Sequence, residues 1–136
     1  MFMIYAVIDT NVFVSAFITK NPNSATTKVV DALAQGKITL LYNREILAEY
    51  AEVLSRVHFH ISKSRLETLI NYIHEHGIVT NRTTFNELLI DEDDRVFYEV
   101  SLSKDDSFLV TGNLKHFPAE PFIVTPREML DLLDRE

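Results

Sequence analysis

Apolar residues fall along this chain in two alternating patterns. Short unbroken runs, Met3 to Ile8, "KITLLY" (37–42), "SFLVT" (107–111) and "FIVT" (122–125), predict strands covered on both faces, as in a parallel sheet. Between them, apolar residues recur every three or four positions and predict helices that bury one face. "TNVFVSAFI" is the first. After the turn-like "TKNPNS", Ser24 caps a second helix running to about Ala34, with Gly36 placed to end it. From Asn43, a natural cap, Ile46, Leu47, Tyr50, Val53, Leu54 and Val57 mark a third. "SRLE", Ser64 to Glu67, has the form of a capping box opening a fourth helix, which buries Leu66, Leu69, Ile70 and Ile73 and stops at Gly77. A short "IVT" strand follows. Asp91 to Asp94 open a helix through about Leu102, and "TPRE" starts the last one, with Thr125 as cap, Pro126 first and Glu128 completing the box. Strands alternating with helices imply right-handed crossovers and an α/β fold. We expect a three-layer α/β/α sandwich around a parallel sheet of about four to five strands.

Composition narrows the picture. A chain of 136 residues, 46% apolar and 24% charged with only 3 Gly and 4 Pro, fits one folded domain spanning 1–136. The opening run "MFMIYAVI" is eight residues long, lacks a basic lead and ends at Asp9, so it reads as neither a signal peptide nor a membrane span. No membrane partner and a cytoplasmic location are expected. With no cysteine, disulfides and thiolate metal sites are excluded, and any metal must be held by oxygen or imidazole. A net charge of −7 argues against holding nucleic acid through a dominant positive field. It remains compatible with a nuclease whose acids surround divalent cations while a few Lys and Arg guide the strand.

In sheets of this kind the functional crevice lies beyond the carboxyl ends of the strands. Asp9 and the stretch Thr111 to Asn113 occupy such ends. Asp9 reads equally as a helix cap or as a site acid. On the third helix Glu45 and Glu52 project to the solvated side, whereas Glu49 falls roughly 100° from the centre of the apolar stripe, at its boundary. In "IDEDDRVFYEV" Asp93 projects near the centre of the buried stripe and Asp94 to its edge, and helical geometry does not choose between them. Asp91 lies outside that helix or caps it, and Glu92 reads as a solvated first-turn acid. The histidines of "HFH", 58 to 60, suit an exposed connector, and His74 and His76 face different sides of a helix. Lys115 and His116 suit phosphate contacts or plain solubility. There is no glycine-rich phosphate loop, serine–histidine triad or zinc spacing.

Three stretches, "VIDTNVFVSAF", "EILAEYAEVLSR" and "DEDDRVFYEV…SFLVTGNLKHFP", together resemble the PIN-domain family over nearly the whole chain. They resemble in particular the small stand-alone PIN proteins described as toxins of toxin–antitoxin pairs. The resemblance implies a metal-dependent ribonuclease with a parallel-sheet sandwich, whose metal-holding and catalytic acids are Asp9, Glu49 and Asp94. It selects Asp94 because Asp91, Asp94, Arg95 and Phe97 match the family's spacing, which makes Asp93 a variable position. By the same likeness Asn11, Asp91, Thr111 and Asn113 support the site, the cofactor is Mg²⁺ or Mn²⁺, and the partners are an RNA substrate, a cognate antitoxin protein and a second copy in a homodimer; Lys115 and His116, read from the residues alone, are the candidates for substrate contact. One departure stands out. Many members carry Thr-Gly-Asp after the later strand, and this chain has "TGN", ending in the uncharged Asn113.

Two rival readings follow from the same residues. A PIN-fold module for binding RNA or protein, its metal affinity weakened by Asn113, would keep its ligand in chelator. A phosphatase of the haloacid dehalogenase type also begins with Asp after an apolar strand, but it wants a second Asp where this chain has Asn11.

Overall fold

The unbroken apolar runs become the strands of one sheet in the computed structural model, which describes residues 3–135; Met1 and Phe2 of the opening run, and Glu136, lie outside the described residues. Strand β1 (Ile4–Ile8) leads into α1 (Thr10–Ile18) and α2 (Ala25–Ala34), then β2 (Ile38–Tyr42), α3 (Arg44–Leu54), α4 (Lys63–His76) and β3 (Ile78–Val79). After a long irregular segment come α5 (Arg95–Ser101), β4 (Ser107–Val110), β5 (Ile123–Val124) and α6 (Pro126–Asp134). The sheet order is β3-β2-β1-β4-β5, and every neighbouring pair is parallel. Six helices flank the five strands in the expected three-layer α/β/α arrangement. Among the described residues no helix is long and apolar enough to cross a membrane.

This order sets the position of the crevice. From β1 the chain moves outward through β2 and β3, then returns to the other side of β1 to lay down β4 and β5. The direction therefore reverses between β1 and β4, and the loops leaving their carboxyl ends diverge there. The register Ile8↔Val110 brings the two ends level, so Asp9 and Thr111 become neighbours although 102 residues separate them.

Helix starts follow the capping chemistry where a side chain has an orphan N–H to accept. Ser24 accepts from Thr27 N–H, Asn43 from Ile46 N–H, and Thr125 and Glu128 form the full reciprocal box. The fourth helix departs from expectation: it opens at Lys63, because Ser62 rather than Ser64 accepts an N–H, that of Arg65 at 3.2 Å. The third ends at Leu54, leaving Val57 outside it, 86% exposed on a 3-10 turn (Val57–Phe59). Gly36 ends α2 with a left-handed backbone, φ +79°. Gly77 ends α4 differently, with extended backbone at φ −77°. It is needed for closeness: a Cβ there would stand 2.8 Å from the Ile73 carbonyl oxygen and from the Tyr42 ring. Gly77→Ala should therefore cost about 1–3 kcal/mol by forcing backbone apart, measurable by urea unfolding.

The four acids Asp91 to Asp94 do not begin an α-helix. Glu92–Asp94 form a 3-10 turn, capped by Asp91 accepting the Asp93 N–H at 3.0 Å, and α5 starts only at Arg95. A 3-10 turn advances about 120° per residue rather than 100°, so projecting the α5 stripe back through it misplaces side chains. Asp93 accordingly lies exposed, while Asp94 is half-buried.

Beneath the carboxyl ends of the strands the core is aromatic. Tyr50 of α3 meets Phe13 of α1 edge-on with ring centres 5.0 Å apart, and Phe97 of α5 lies 6.2 Å from Tyr50. All three are fully buried. They join the helices that follow Asp9, carry Glu49 and follow Asp94, and the Tyr50 hydroxyl donates to the Ile8 carbonyl directly before Asp9.

Candidate active site

Asp9 closes β1 and stands in the cap position of α1, yet its side chain makes no cap hydrogen bond. Its backbone N–H donates to the Val110 carbonyl at 2.9 Å, extending the β1–β4 pairing by one residue. The side chain is 4% exposed, and its Oδ2 accepts the Thr111 hydroxyl at 2.7 Å. Thr111 is itself fixed, because its Oγ1 accepts the Asn113 N–H at 3.0 Å and so has its proton free for Asp9. Asn113 thus acts through its backbone, with a half-buried side chain. The Asn11 backbone N–H lies near enough to Asp9 to favour its charge without making a cap hydrogen bond, and the Asn11 side chain is exposed.

Glu49 is half-buried at the edge of α3, where the periodicity places it, and accepts the hydroxyl of Thr10, the residue after Asp9. Asp94 accepts from, or shares a proton with, His116 Nδ1 at 3.0 Å. His116 belongs to a 3-10 turn (Leu114–His116) beyond β4. Lys115 beside it is exposed. Among the described residues, Asp91, Asp94 and His116 form a set whose ligand atoms all lie within 4.8 Å of one another.

Electrostatics join these groups into one site. Burial raises the Asp9 carboxyl above its ordinary 3.8, against the Thr111 hydroxyl, the Asn11 and Thr10 N–H groups and His116, which favour its charge. Burial likewise raises Glu49, assisted by the charges of Asp9, Asp93 and Glu52 and opposed by the Thr10 hydroxyl. Asp94 is pushed up to about 6, first by burial, then by the charge of Asp9 and, more weakly, of Asp91, with the His116 contact opposing. Among the described residues no Lys or Arg forms an ion pair with Asp9, Glu49 or Asp94. Asp9, Glu49 and Asp94 thus feel one another's charge, but among the described residues the group whose ligand atoms lie within 4.8 Å is Asp91, Asp94 and His116, and Asp9 and Glu49 stand outside it.

Residues 5–115 match the PIN domain. The chain belongs to the PIN-domain family. No curated protein matches it. PIN domains are generally nucleases, and this one holds an acidic cluster suited to metal. The PIN match spans Asp9, Glu49, Asp94, Thr111 and Asn113, from β1 to the turn after β4. His116 falls one residue beyond it.

Two contacts at the PIN site were not visible in the sequence. The Thr10–Glu49 bond links residues 39 apart. The Asp94–His116 bond links residues 22 apart and depends on how the loop after β4 folds back. A third feature had a signal: Glu99 stands among the apolar Val96, Phe97 and Val100, where an acid needs partners. It finds Arg82, 2.9 Å away, and the Phe85 N–H at 3.0 Å.

Proposed function

We propose that this PIN domain is a metal-dependent endoribonuclease and serves as the toxin of a toxin–antitoxin pair. What supports the nuclease reading is that Glu49 and Asp94 both feel the charge of Asp9 at the end of β1, with no Lys or Arg paired to any of the three among the described residues. Oxygen donors select hard cations, and Asp9, Glu49 and Asp94 would hold Mg²⁺ or Mn²⁺. When bound, such a cation polarises the scissile phosphate and lowers the pKa of an attacking water. Thr111 and Thr10 hold the Asp9 and Glu49 carboxylates in place, so that little reorganisation accompanies binding. Asn113, held beside Thr111 by its backbone N–H, would contact water or phosphate without adding charge, and Asp91 caps the turn that carries Asp94. Lys115, exposed next to His116, offers a cation to an approaching strand. Incubation with a panel of structured and single-stranded RNAs should give discrete internal cleavage in Mn²⁺ and none in chelator. A panel left intact in Mn²⁺ overturns the reading.

The partner assignment rests on the likeness to stand-alone PIN toxins. Co-expression with the small protein encoded beside this one should suppress cleavage and yield a complex on size exclusion; failure on both counts removes the toxin role. The uncharged Asn113 favours a second reading, a module that binds RNA without cutting it. Retention of RNA in chelator, with no cleavage in Mn²⁺, decides for that reading.

The crowded acids also set a pH dependence. Because folding raises the Asp94 pKa from 3.8 to about 6, the folded state holds that proton more tightly than the unfolded one. The contribution is favourable at low pH and is lost as pH rises through about 6. In chelator, Asp94→Asn should melt above wild type at pH 7–8, and the gain should fade as pH falls toward 4, read by thermal scans across that range. An advantage that grows on acidification contradicts this account of the site.

A further inference from the structure

Among the described residues His116 is the one imidazole grouped with the acids at this crevice, and its position suits more than a hydrogen bond. Its Nδ1 stands 3.0 Å from Asp94 Oδ2, and Asp91 completes the set within 4.8 Å. Ligands in adjacent positions of a six-coordinate cation, each at about 2.1 Å, stand about 3.0 Å apart, and those in opposite positions about 4.2 Å. One cation can therefore take the place of the proton between Asp94 and His116 with little movement of either. Asp91 Oδ1 is engaged by the Asp93 N–H, which leaves Oδ2 for such an ion. The His116 side chain is 38% exposed, so it is free to adjust its ring without repacking the core.

Resting on the metal-dependent reading above, we propose that His116 is a direct nitrogen ligand at the Asp94 metal position and biases the site toward cations that accept imidazole, such as Co²⁺ or Mn²⁺, over Mg²⁺. Hard Mg²⁺ prefers oxygen and gives up little when a nitrogen is removed, whereas affinity for nitrogen donors rises along the series from Mn²⁺ through Co²⁺. His116 would then contribute the ligand that Asn113, lacking charge, does not.

The test is calorimetric titration of the full chain, stripped of metal beforehand, with Co²⁺ and separately with Mg²⁺. Wild type is compared with His116→Ala and with Lys115→Ala, a neighbouring exposed residue on the same turn. His116→Ala should weaken Co²⁺ binding about tenfold or more and shift the visible Co²⁺ absorption bands, while changing Mg²⁺ affinity less than about twofold. Lys115→Ala should change neither. The exposed His58, His60, His74 and His76 are shared by all three proteins, so weak binding there cancels. His116→Gln, which keeps polarity and bulk without an imidazole, repeats the comparison should the alanine variant unfold. Equal losses for both ions, or no loss, in a wild type that binds metal overturn the role of His116 and leave the nuclease reading standing. A wild type that binds neither ion overturns both.

Discussion

Asp9→Asn should abolish metal-dependent RNA cleavage, by on the order of 10³-fold or more, while leaving the protein folded. The expectation follows from position and charge. Asp9 is 4% exposed at the end of the central strand, hydrogen-bonded to Thr111 and close enough to Glu49 and Asp94 to raise both. Asparagine keeps the shape and an oxygen to accept the Thr111 proton, but removes the charge that attracts a cation. A thousandfold loss corresponds to about 4 kcal/mol of barrier, the scale expected when the charge organising a metal site is lost. Stability should hold or rise, because burial disfavours the Asp9 charge in the metal-free protein. Single-turnover cleavage of an RNA substrate, paired with a thermal melt, reads both. Wild-type cleavage by the variant, with contaminating nuclease excluded, would falsify the assignment.

The second large effect concerns the fold rather than the chemistry. Glu99 is a buried acid of α5, and its carboxylate takes the Arg82 guanidinium and the Phe85 N–H, with Arg95 at 3.6 Å. Arg82 continues to Glu45 on α3 at 2.8 Å, while Arg95 donates to the Phe85 and Glu87 carbonyls and pairs with Glu92. These contacts tie residues 82–92, which have almost no regular structure, to α5 and α3 just before the acids begin. Glu99→Ala should cost about 2–4 kcal/mol, because it leaves the part-buried Phe85 N–H without an acceptor and a guanidinium half-paired. Arg82 is partly exposed and can turn to water, which keeps the figure below the most severe cases. Glu99→Gln keeps one acceptor oxygen and so can hold Arg82 or the Phe85 N–H but not both; it should cost less than alanine without being neutral. The pH sign is opposite to that of Asp94. Burial alone would raise the Glu99 carboxyl, but the Phe85 N–H and the Arg82 and Arg95 cations outweigh it and hold it below the usual glutamate value of 4.5. Its contribution is thus full above that value and is lost as pH falls through the lower folded pKa. Urea unfolding of wild type and Glu99→Ala should therefore differ most near neutrality and converge in acid.

Much of this architecture was legible in the residues. Continuous apolar runs marked β1, β2, β4 and β5, since a strand covered on both faces has no polar side to show, whereas the edge strand β3 is two exposed residues long. Asn43, Ser24 and Thr125 announced helix starts because each offers an oxygen to an orphan N–H. Capping also produced a miss. Ser62 and Ser64 both precede the same apolar stripe, and only the path of the incoming chain decides which one turns its hydroxyl inward. The acids at 91–94 misled periodicity for a related reason, as the helical angle holds only where the backbone is α-helical, and here a 3-10 turn intervenes.

The candidate site was legible in part. Strand ends pointed to Asp9 and Thr111, and periodicity placed Glu49 at the boundary where the structure has it half-buried. Between Asp93 and Asp94 the residues alone did not choose; the resemblance did, and the structure leaves Asp93 exposed while burying half of Asp94 against His116. What escaped was everything made by long-range pairing of polar side chains: Thr10 with Glu49, His116 with Asp94, Glu99 with Arg82. Such pairs leave little periodic trace: Glu99 stood out as an acid among apolar neighbours, but nothing pointed to Arg82, and the members of the other pairs look like ordinary surface residues or caps.

The central claim is that three acids brought together at the β1–β4 crevice hold a cation that RNA cleavage requires. A single Mn²⁺ titration, followed by calorimetry and by cleavage of one RNA in the same buffer at pH 7.5, tests it most directly with wild type and Asp94→Asn. Cleavage by wild type should rise and saturate with metal binding, and Asp94→Asn should lose both together. Cleavage that persists in chelator, or in an Asp94→Asn protein that binds no Mn²⁺, would contradict it.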